Sequence, residues 1–491
     1  MTNKRLPNEL YNVEQVRQAE IDASQTINGG LYQLVEKAGA AAFQWLQQHQ
    51  ASAKRVLILV GSGNNGADGL VLARLLVEHG YQVDVMGLLR PVNSSEYGQA
   101  LQALQAVNVQ VQSIDLDIFD KVDVIIDALF GTGLSRPLSE EFQSLIKGIN
   151  RSSAFRLSLD VPSGINANSG VGVFAVAADA TIVFGALKRG LFTYQARHFC
   201  GQIFFADIGL AEFLPETDTF RFDCHDIQGI LGKRARHAHK GDFGRVNVVG
   251  GDLGMPGAVR LSAEACFRAG SGLVAVVSRP EHQHIVLTGC PELMFCSAEF
   301  IDMDVYHRLG WADVLVLGPG LGRQDWGQNL FKATSLSGKP SVIDADALNI
   351  LSKDPVKQDD WVLTPHSGEA ARLLDCSVEE IERDRFTAVK QLQQKYGGVA
   401  VLKGAGTLIC DGKQTIVATV GNPGLSSGGC GDVLSGIIGA MMAQGLSPMQ
   451  AAYTGVIVHG CAADKAAEKG ERGMLASDLM EPIRQVVNSL G

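Results

Sequence analysis

Short apolar runs punctuate the first half of the chain, each followed by a longer stretch in which apolar positions recur every three or four residues. RVLILV (55–60), YQVDVMG (81–87), VDVIIDA (122–128) and FRLSLDV (155–161) have the length of buried strands. Between them, GLVLARLLVEHG (69–80) and SEYGQALQALQAV (95–107) show the spacing of one helical face. Strand and helix alternating in this way predict a doubly wound parallel sheet covered on both faces. The alternation lapses in a polar stretch from about Ala211 to Lys240 and restarts with RVNVVGG (245–251), GLVAVVS (272–278), ADVLVLG (312–318), PSVIDA (340–345), DWVLTP (360–365) and VAVLKG (399–404) as strands. GAVRLSAEACFRAG (257–270) and VEEIERDRFTAVKQLQQKY (378–396) are its helices. With no short internal repeat, the halves are expected to be two different α/β domains, 1–222 and 223–491.

Polar residues in the first domain gather where strands end. GSGNNGADG (61–69) follows the first strand, DALFGTG (127–133) the third and DVPSG (160–164) the fourth. The carboxyl ends of parallel strands share one crevice, so Asn64, Asn65, Asp68, Asp127, Asp160 and Ser163 are expected to meet there. Residues 61–66 fit G-x-G-x-x-G after a strand. The acid that would hold a ribose after the second strand is absent. Paired asparagines with a following aspartate suit hydrogen bonding or a cation better than a bare pyrophosphate. A plain Gly/Asn turn that opens a helix is the structural alternative.

The second domain repeats the arrangement with other chemistry. GPGLG (318–322), DADALN (344–349), TPHSGE (364–369) and KGAGT (403–407) each follow a strand, and NPGLSSGGCGD (422–432) precedes the apolar run VLSGIIGAMMA. Glycines let main-chain N–H groups approach an anion, and at a helix start the dipole and free amides favour phosphate. Asp432 stands in the first turn of that helix. A carboxylate beside phosphate is repelled by it, so the position suggests removal of a proton from a substrate hydroxyl. An acid that merely complements the helix dipole is the alternative.

Composition and charge narrow the partners. The 491 residues are 46% hydrophobic and 19% charged, which gives room for more than one buried core. A formal net charge of -10 argues against nucleic acid or an anionic membrane as partner. The opening stretch has no signal-peptide core and no apolar run is long enough to span a bilayer, so a cytoplasmic protein is expected. Nine cysteines without a CxxC pair suggest neither a zinc site nor a disulfide framework, and most are expected as buried small hydrophobes. GKRARHAHKG (232–241) reads as a solvated basic linker.

Both motif sets resemble known families. GNPGLSSGGCGDVLSG with GPGLG, DADALN, TPHSGE and KGAGT is similar to the nucleotide-dependent NAD(P)H-hydrate dehydratases, which have a ribokinase-like fold. GSGNNGADG, DALFGTG and DVPSG resemble the NAD(P)H-hydrate epimerases usually fused ahead of them. The resemblance covers nearly the whole chain and implies a Rossmann-like doubly wound sheet followed by a ribokinase-like α/β domain. It implies repair of reduced nicotinamide cofactors whose ring has taken up water at C6. The first domain would interconvert the R and S epimers of NADHX and NADPHX. The second would use ADP to dehydrate the S form, leaving AMP, phosphate and NAD(P)H.

Carried over by motif, Asn64, Asn65, Gly66, Ala67 and Asp68, with Gly131, Thr132, Gly133, Leu134, Ser135, Arg136 and Pro137, would line the epimerase pocket. Asp160 would be its acid/base, and Asn65, Asp127 and Ser163 would hold a potassium ion, for which oxygen ligands are suited. In the dehydratase, Lys403, Gly404, Ala405, Gly406, Thr407 and Gly431 match the adenine-nucleotide site, with Mg2+ on the nucleotide. Ala258, Gly320 and His366 match the hydrate site, Asp432 the catalytic base, and Lys240 a group near phosphate. A homo-oligomer is expected.

Some positions depart from the family pattern. Ser62 and Ala67 stand where the epimerase loop usually has proline and glycine, and Ser427 and Cys430 where the dehydratase loop has threonines. Ala67 matters if its position needs positive φ, and a Cys430 thiol donates to phosphate more weakly than a hydroxyl. Two other functions stay open. One is a kinase for a small hydroxylated vitamin precursor, because the glycine run and Asp432 would serve phosphoryl transfer to any hydroxyl. The other makes the first domain a noncatalytic ligand-binding or scaffolding module.

Overall fold

Alternate side chains of the first strand, β1 (Arg55–Val60), enter separate apolar layers: Val56, Ile58 and Val60 one, Leu57 and Leu59 the other. Burying each such side chain contributes about 2 kcal/mol, so both faces of the sheet must be covered. The computed structural model describes residues 5–87, 94–133 and 139–491, and the chain divides into two units, 1–219 and 220–491.

In the first unit, β1 is joined by β2 (Gln82–Gly87), β3 (Val124–Ala128), β4 (Phe155–Leu159), β5 (Ala180–Phe184) and β6 (Gln202–Ala206). Their order is β2-β1-β3-β4-β5-β6, parallel throughout. Its helices are α1 (Val13–Thr26), α2 (Leu31–His49), α3 (Asn64–Glu78), α4 (Ser95–Ala106), α5 (Glu140–Arg151) and the short α6 (Ala196–Phe199). α2, α3 and α4 cover one face and α5 the other. The strand order reverses between β1 and β3, so the loops that follow these two strands flank the switch point.

The second unit holds a ten-stranded sheet. β7 (Thr219–Phe222) lies at one edge; β8 (Arg245–Val249), β9 (Leu273–Ser278), β10 (Met294–Ser297), β11 (Val314–Leu317), β12 (Ser341–Ile343), β13 (Trp361–Leu363) and β14 (Val399–Leu402) pair in parallel. β15 (Leu408–Cys410) and β16 (Thr415–Ala418) close it as an antiparallel hairpin. Its helices are α7 (Pro256–Arg268), α8 (Gln283–Gly289), α9 (Met303–Trp311), α10 (Asp325–Leu336), α11 (Ala345–Leu351), α12 (Ser367–Leu374), α13 (Val378–Arg383), α14 (Arg385–Tyr396), α15 (Cys430–Ala443), α16 (Pro448–Ala466) and α17 (Met480–Asn488). The apolar α15 is buried in the core with α7, β8 and β11.

Three sequence expectations are corrected. The helix expected over 378–396 is two, because the Asp384 side chain accepts from the Thr387 amide and starts a new helix. The helix expected from Gly69 begins at Asn64, so the asparagine pair belongs to its first turn. Cys224 and Cys461 form a disulfide across 237 residues of sequence, a pairing no local spacing reveals; the other seven cysteines are free.

Candidate functional site

The loops after β1, β3 and β4 do converge. A Cβ on Gly61 would stand 1.9 Å from the Leu129 carbonyl oxygen, and one on Gly66 would stand 2.1 Å from that of Gly61. These glycines allow the main chains after β1 and β3 to touch. Ala67 is buried in α3 with ordinary helical φ, so its departure from glycine carries no strain. Asp127, at the end of β3, is 1% exposed and accepts from Ser163 Oγ (2.5 Å), the Ser163 amide (2.8 Å) and Ser158 Oγ (2.8 Å). Ser163 Oγ in turn accepts from the Phe130 amide at 2.9 Å. Asn65 packs against Gly131, and both polar atoms of its amide are buried without a partner. Thr132 and Gly133 follow in the same loop; Leu134, Ser135, Arg136 and Pro137 lie outside the described residues.

Asp160 follows β4 with φ +64, a left-handed conformation unusual for any residue but glycine. Its Oδ1 accepts from Lys188 Nζ at 2.5 Å and from the Phe184 amide at 3.2 Å. Lys188 is 1% exposed and also donates to the Phe184 carbonyl. Burial pushes the Asp68 carboxyl well above its ordinary range, and the charges of Asp160 and Glu20 push it the same way. Glu20 is raised by burial against the opposing charge of Lys188. The crevice therefore combines an ion pair with two carboxyls biased towards protonation, a composition suited to moving a proton. Sequence reasoning missed Lys188 and Glu20. Lys188 carried a signal, since it ends the apolar stretch that contains β5; Glu20 sits on the polar helix α1 and carried none.

In the second unit Gly429, with φ +90, turns the glycine loop into α15, and Asp432 is the third residue of that helix. Burial, then the neighbouring Asp344, push the Asp432 carboxyl up to about 7 against the opposing charge of Lys403. Lys403 donates to Asp344 Oδ1 at 3.0 Å and lies 3.8 Å from Glu369 Oε2. It reaches under the first turn of α15, where a Cβ on Gly431 would be 3.5 Å from Nζ. Burial works against the Lys403 charge, but Asp344 and Glu369 outweigh it and raise its pKa.

The remaining loops assemble around this centre. Gly404 to Thr407 form a turn closed by Thr407 Oγ1, which donates to the Gly404 carbonyl at 3.0 Å. Gly406 has positive φ, and Ala405 lies between the two glycines. Arg385, 1% exposed, fixes the approach to this turn by donating to the carbonyls of Leu402 and Lys403, a role no sequence signal announced. Gly320, at φ +58, packs against Met255 and Ala258, where a Cβ would be 3.2 Å from that of Ala258. His366 caps α12; its Nδ1 accepts from the Gly368 amide at 2.9 Å, and burial and the Lys403 charge lower its pKa. Cys430 contacts Ser427 Oγ at 3.3 Å within the loop.

Lys240 is corrected. It precedes β8, and Gly244 packs on Ala443 at the far end of α15, about 16 Å along that helix from Asp432. The basic stretch around it is largely exposed as expected, except that Arg234 stacks on Phe243 at 3.7 Å and donates to the carbonyl of Gly270, just beyond α7.

A base with a pKa of about 7 must be deprotonated to act. The kcat/KM of a reaction that uses Asp432 this way is expected to rise with pH through about 7 and level off above it. A profile flat from pH 5.5 to 8.5 would remove Asp432 from that role.

Comparison with known proteins adds to this geometry. A family model described as NAD(P)H-hydrate dehydratase matches residues 246–485, and one described as YjeF-related protein N-terminus matches residues 31–190. The chain is 46% identical over 488 residues to the bifunctional NAD(P)H-hydrate repair enzyme Nnr of Coxiella burnetii, covering 98% of this chain and 99% of that protein. Against the Escherichia coli protein of the same name it is 43% identical over 491 residues, covering 98% and 95%. The crystal structure of a ribokinase-like superfamily protein from Enterococcus faecalis aligns with a TM-score of 0.53 at 27% identity, over 57% of this chain and 98% of that one.

Proposed function

The chain belongs to the bifunctional NAD(P)H-hydrate repair enzymes, and we propose that it epimerises NADHX and NADPHX in its first unit and dehydrates the S epimer with ADP in its second. One observation carries the reading at the level of chemistry. A single chain holds a proton-transfer cluster at one strand-end crevice and, at another, a carboxyl with a pKa of about 7 beside a lysine and a glycine loop.

In the first unit, Asp68 gives its proton to the C6 hydroxyl as the ring nitrogen breaks the C6–O bond and expels water; Asp160 takes a proton from the water that adds back to C6 on the other face, and that proton then passes from Asp160 to Asp68. Asn65 to Asp68 and Gly131 to Gly133 line the pocket. In the second, Asp432 removes the proton of the C6 hydroxyl while that oxygen attacks the β-phosphorus of ADP. The bond from phosphorus to the bridging oxygen breaks and AMP leaves. Lys403 and the loop amides hold the charge on the phosphoryl group. The ring nitrogen then expels phosphate from C6, and loss of a proton from C5 restores the reduced nicotinamide. His366, Ala258 and Gly320 border the hydrate; Gly404 to Thr407 and Gly431 border the nucleotide.

Two cations fit these residues. The unpartnered amide of Asn65 beside Gly131, and the oxygens of Asp127 and Ser163 that meet the same loop at Phe130, suit potassium, a hard cation that would supply fixed positive charge to the epimerase pocket. The carboxyls of Asp344 and Glu369 beside Lys403, with Asp346 adding to the negative charge at Asp432, favour a nucleotide that arrives carrying Mg2+. No helix among the described residues is long and apolar enough to cross a membrane, and the reading retains a cytoplasmic homo-oligomer. Exposed Phe300, Met303 and Tyr306 support the assembly.

Replacing K+ by tetramethylammonium is expected to slow epimerisation roughly tenfold or more, and Asp127→Ala to slow it by a similar factor. Dehydration of pure S hydrate should be unchanged in both cases. Equal losses in both assays would mean that the two sites are not separable. The function itself is tested by incubating S hydrate with ADP. Release of one phosphate per reduced cofactor formed supports repair, and a stable phosphorylated product would support a kinase.

A further inference from the structure

Asp160 is held in its crevice by the strand beside it. Its amide donates to the Ile182 carbonyl of β5 at 2.7 Å, and its Oδ1 accepts from the Phe184 amide, at the end of the same strand, at 3.2 Å. Lys188, four residues beyond β5, completes the hold: Nζ donates to the same Oδ1 at 2.5 Å and to the Phe184 carbonyl at 3.0 Å. The lysine is fixed in turn by the segment ahead of α1, since the Tyr11 amide donates to the Leu187 carbonyl and the Arg189 amide to the Tyr11 carbonyl, both at 2.9 Å. Oδ1 is thereby occupied, while Oδ2 accepts no hydrogen bond among the described residues. The Lys188 side chain is 2% exposed and that of Asp160 15%, so a ligand in the crevice meets the carboxyl and not the ammonium.

An ion pair this deep adds little net stability, because desolvation offsets the attraction, and two apolar side chains would serve the fold as well. What they would not do is distinguish one acid from another. Three carboxyls share this neighbourhood with one buried cation: Asp160, Asp68 on α3 and Glu20 on α1, where Arg17 also acts on Glu20. Of the three, Asp160 alone pairs with Lys188. Burial pushes the other two towards the protonated form.

We infer that Lys188 is a positioning residue for the epimerase: it holds Oδ1 and balances the charge there, so that Asp160, and neither Asp68 nor Glu20, is the carboxylate that takes a proton, through Oδ2. Lys188 itself gives up no proton and acts only through Asp160. This role rests on the first unit being the epimerase.

The test follows R-to-S exchange from pH 6 to 8.5 in wild type, Lys188→Met and Lys188→Arg, with melting curves for each. Without the cation, Asp160 competes with its neighbours for protons, so the loss in Lys188→Met is expected to be roughly tenfold greater at pH 6 than at pH 8.5. Arginine restores the charge, and Lys188→Arg should keep the wild-type pH dependence whatever its absolute rate. A loss in Lys188→Met that is the same at every pH would mark a merely structural lysine and overturn the role. So would a pH dependence in Lys188→Arg that matches Lys188→Met. If Lys188→Met proves unfolded, Lys188→Gln takes its place: it keeps a donor for Oδ1 without the charge, and a wild-type pH dependence in that variant would overturn the role. A wild-type protein that leaves R hydrate unexchanged would instead overturn the functional reading of the first unit, and this role with it.

Discussion

Asp432→Ala will bind ADP nearly as tightly as the wild type yet dehydrate S hydrate roughly a hundredfold to ten-thousandfold more slowly, the usual contribution of a positioned base. In the proposed site the loop amides, Lys403 and the Gly404 to Thr407 turn are the groups that would hold the nucleotide, and the bonds that position them do not involve the Asp432 side chain. Removing the carboxyl relieves a repulsion with Asp344 and Glu369, which now raise its pKa, so the fold does not suffer. Asp432→Asn should be equally slow, because an amide cannot accept the proton. Turnover near that of the wild type in either variant would mean that the proton leaves by another route. Epimerisation by the same preparations serves as the control for folding.

The second large effect is expected in the other unit. Asp160→Asn should lower R-to-S exchange by about two to four orders of magnitude and leave dehydration of pure S hydrate intact. Asparagine tolerates the left-handed conformation that Asp160 adopts, so this substitution removes the charge with little backbone strain. It leaves Lys188 buried and without its carboxylate, which is expected to cost about 3 kcal/mol of stability. A melting curve separates that cost from the catalytic loss. Exchange continuing at the wild-type rate in Asp160→Asn would favour a first unit that only binds the hydrate.

Much of this was legible in the sequence because strand ends in parallel sheets carry their own punctuation. GSGNNGADG, DVPSG, GPGLG and KGAGT each mark a point where an apolar run stops and a polar turn begins, and in the structure each set of turns meets in one crevice. The positions that escaped notice act from outside those turns. Arg385 reaches the Lys403 turn from the start of α14, a buried polar residue whose partners are fixed by tertiary packing. Glu20 enters the first crevice from α1, with no pattern around it to separate it from a solvated glutamate. Lys240 failed in the opposite sense, since the family resemblance placed it near phosphate while the sheet carries it to the far end of α15.

One polypeptide should take both epimers of a damaged cofactor back to its reduced form. The direct measurement is to give the purified chain a mixture of R and S hydrate with excess ADP and Mg2+ in K+ buffer, and to follow reduced nicotinamide, AMP and phosphate together. The whole mixture should be recovered far faster than the epimers interchange unaided, with one AMP and one phosphate for each cofactor restored. Recovery that stops when the S epimer is spent, or a phosphorylated hydrate that accumulates without release of phosphate, would contradict it.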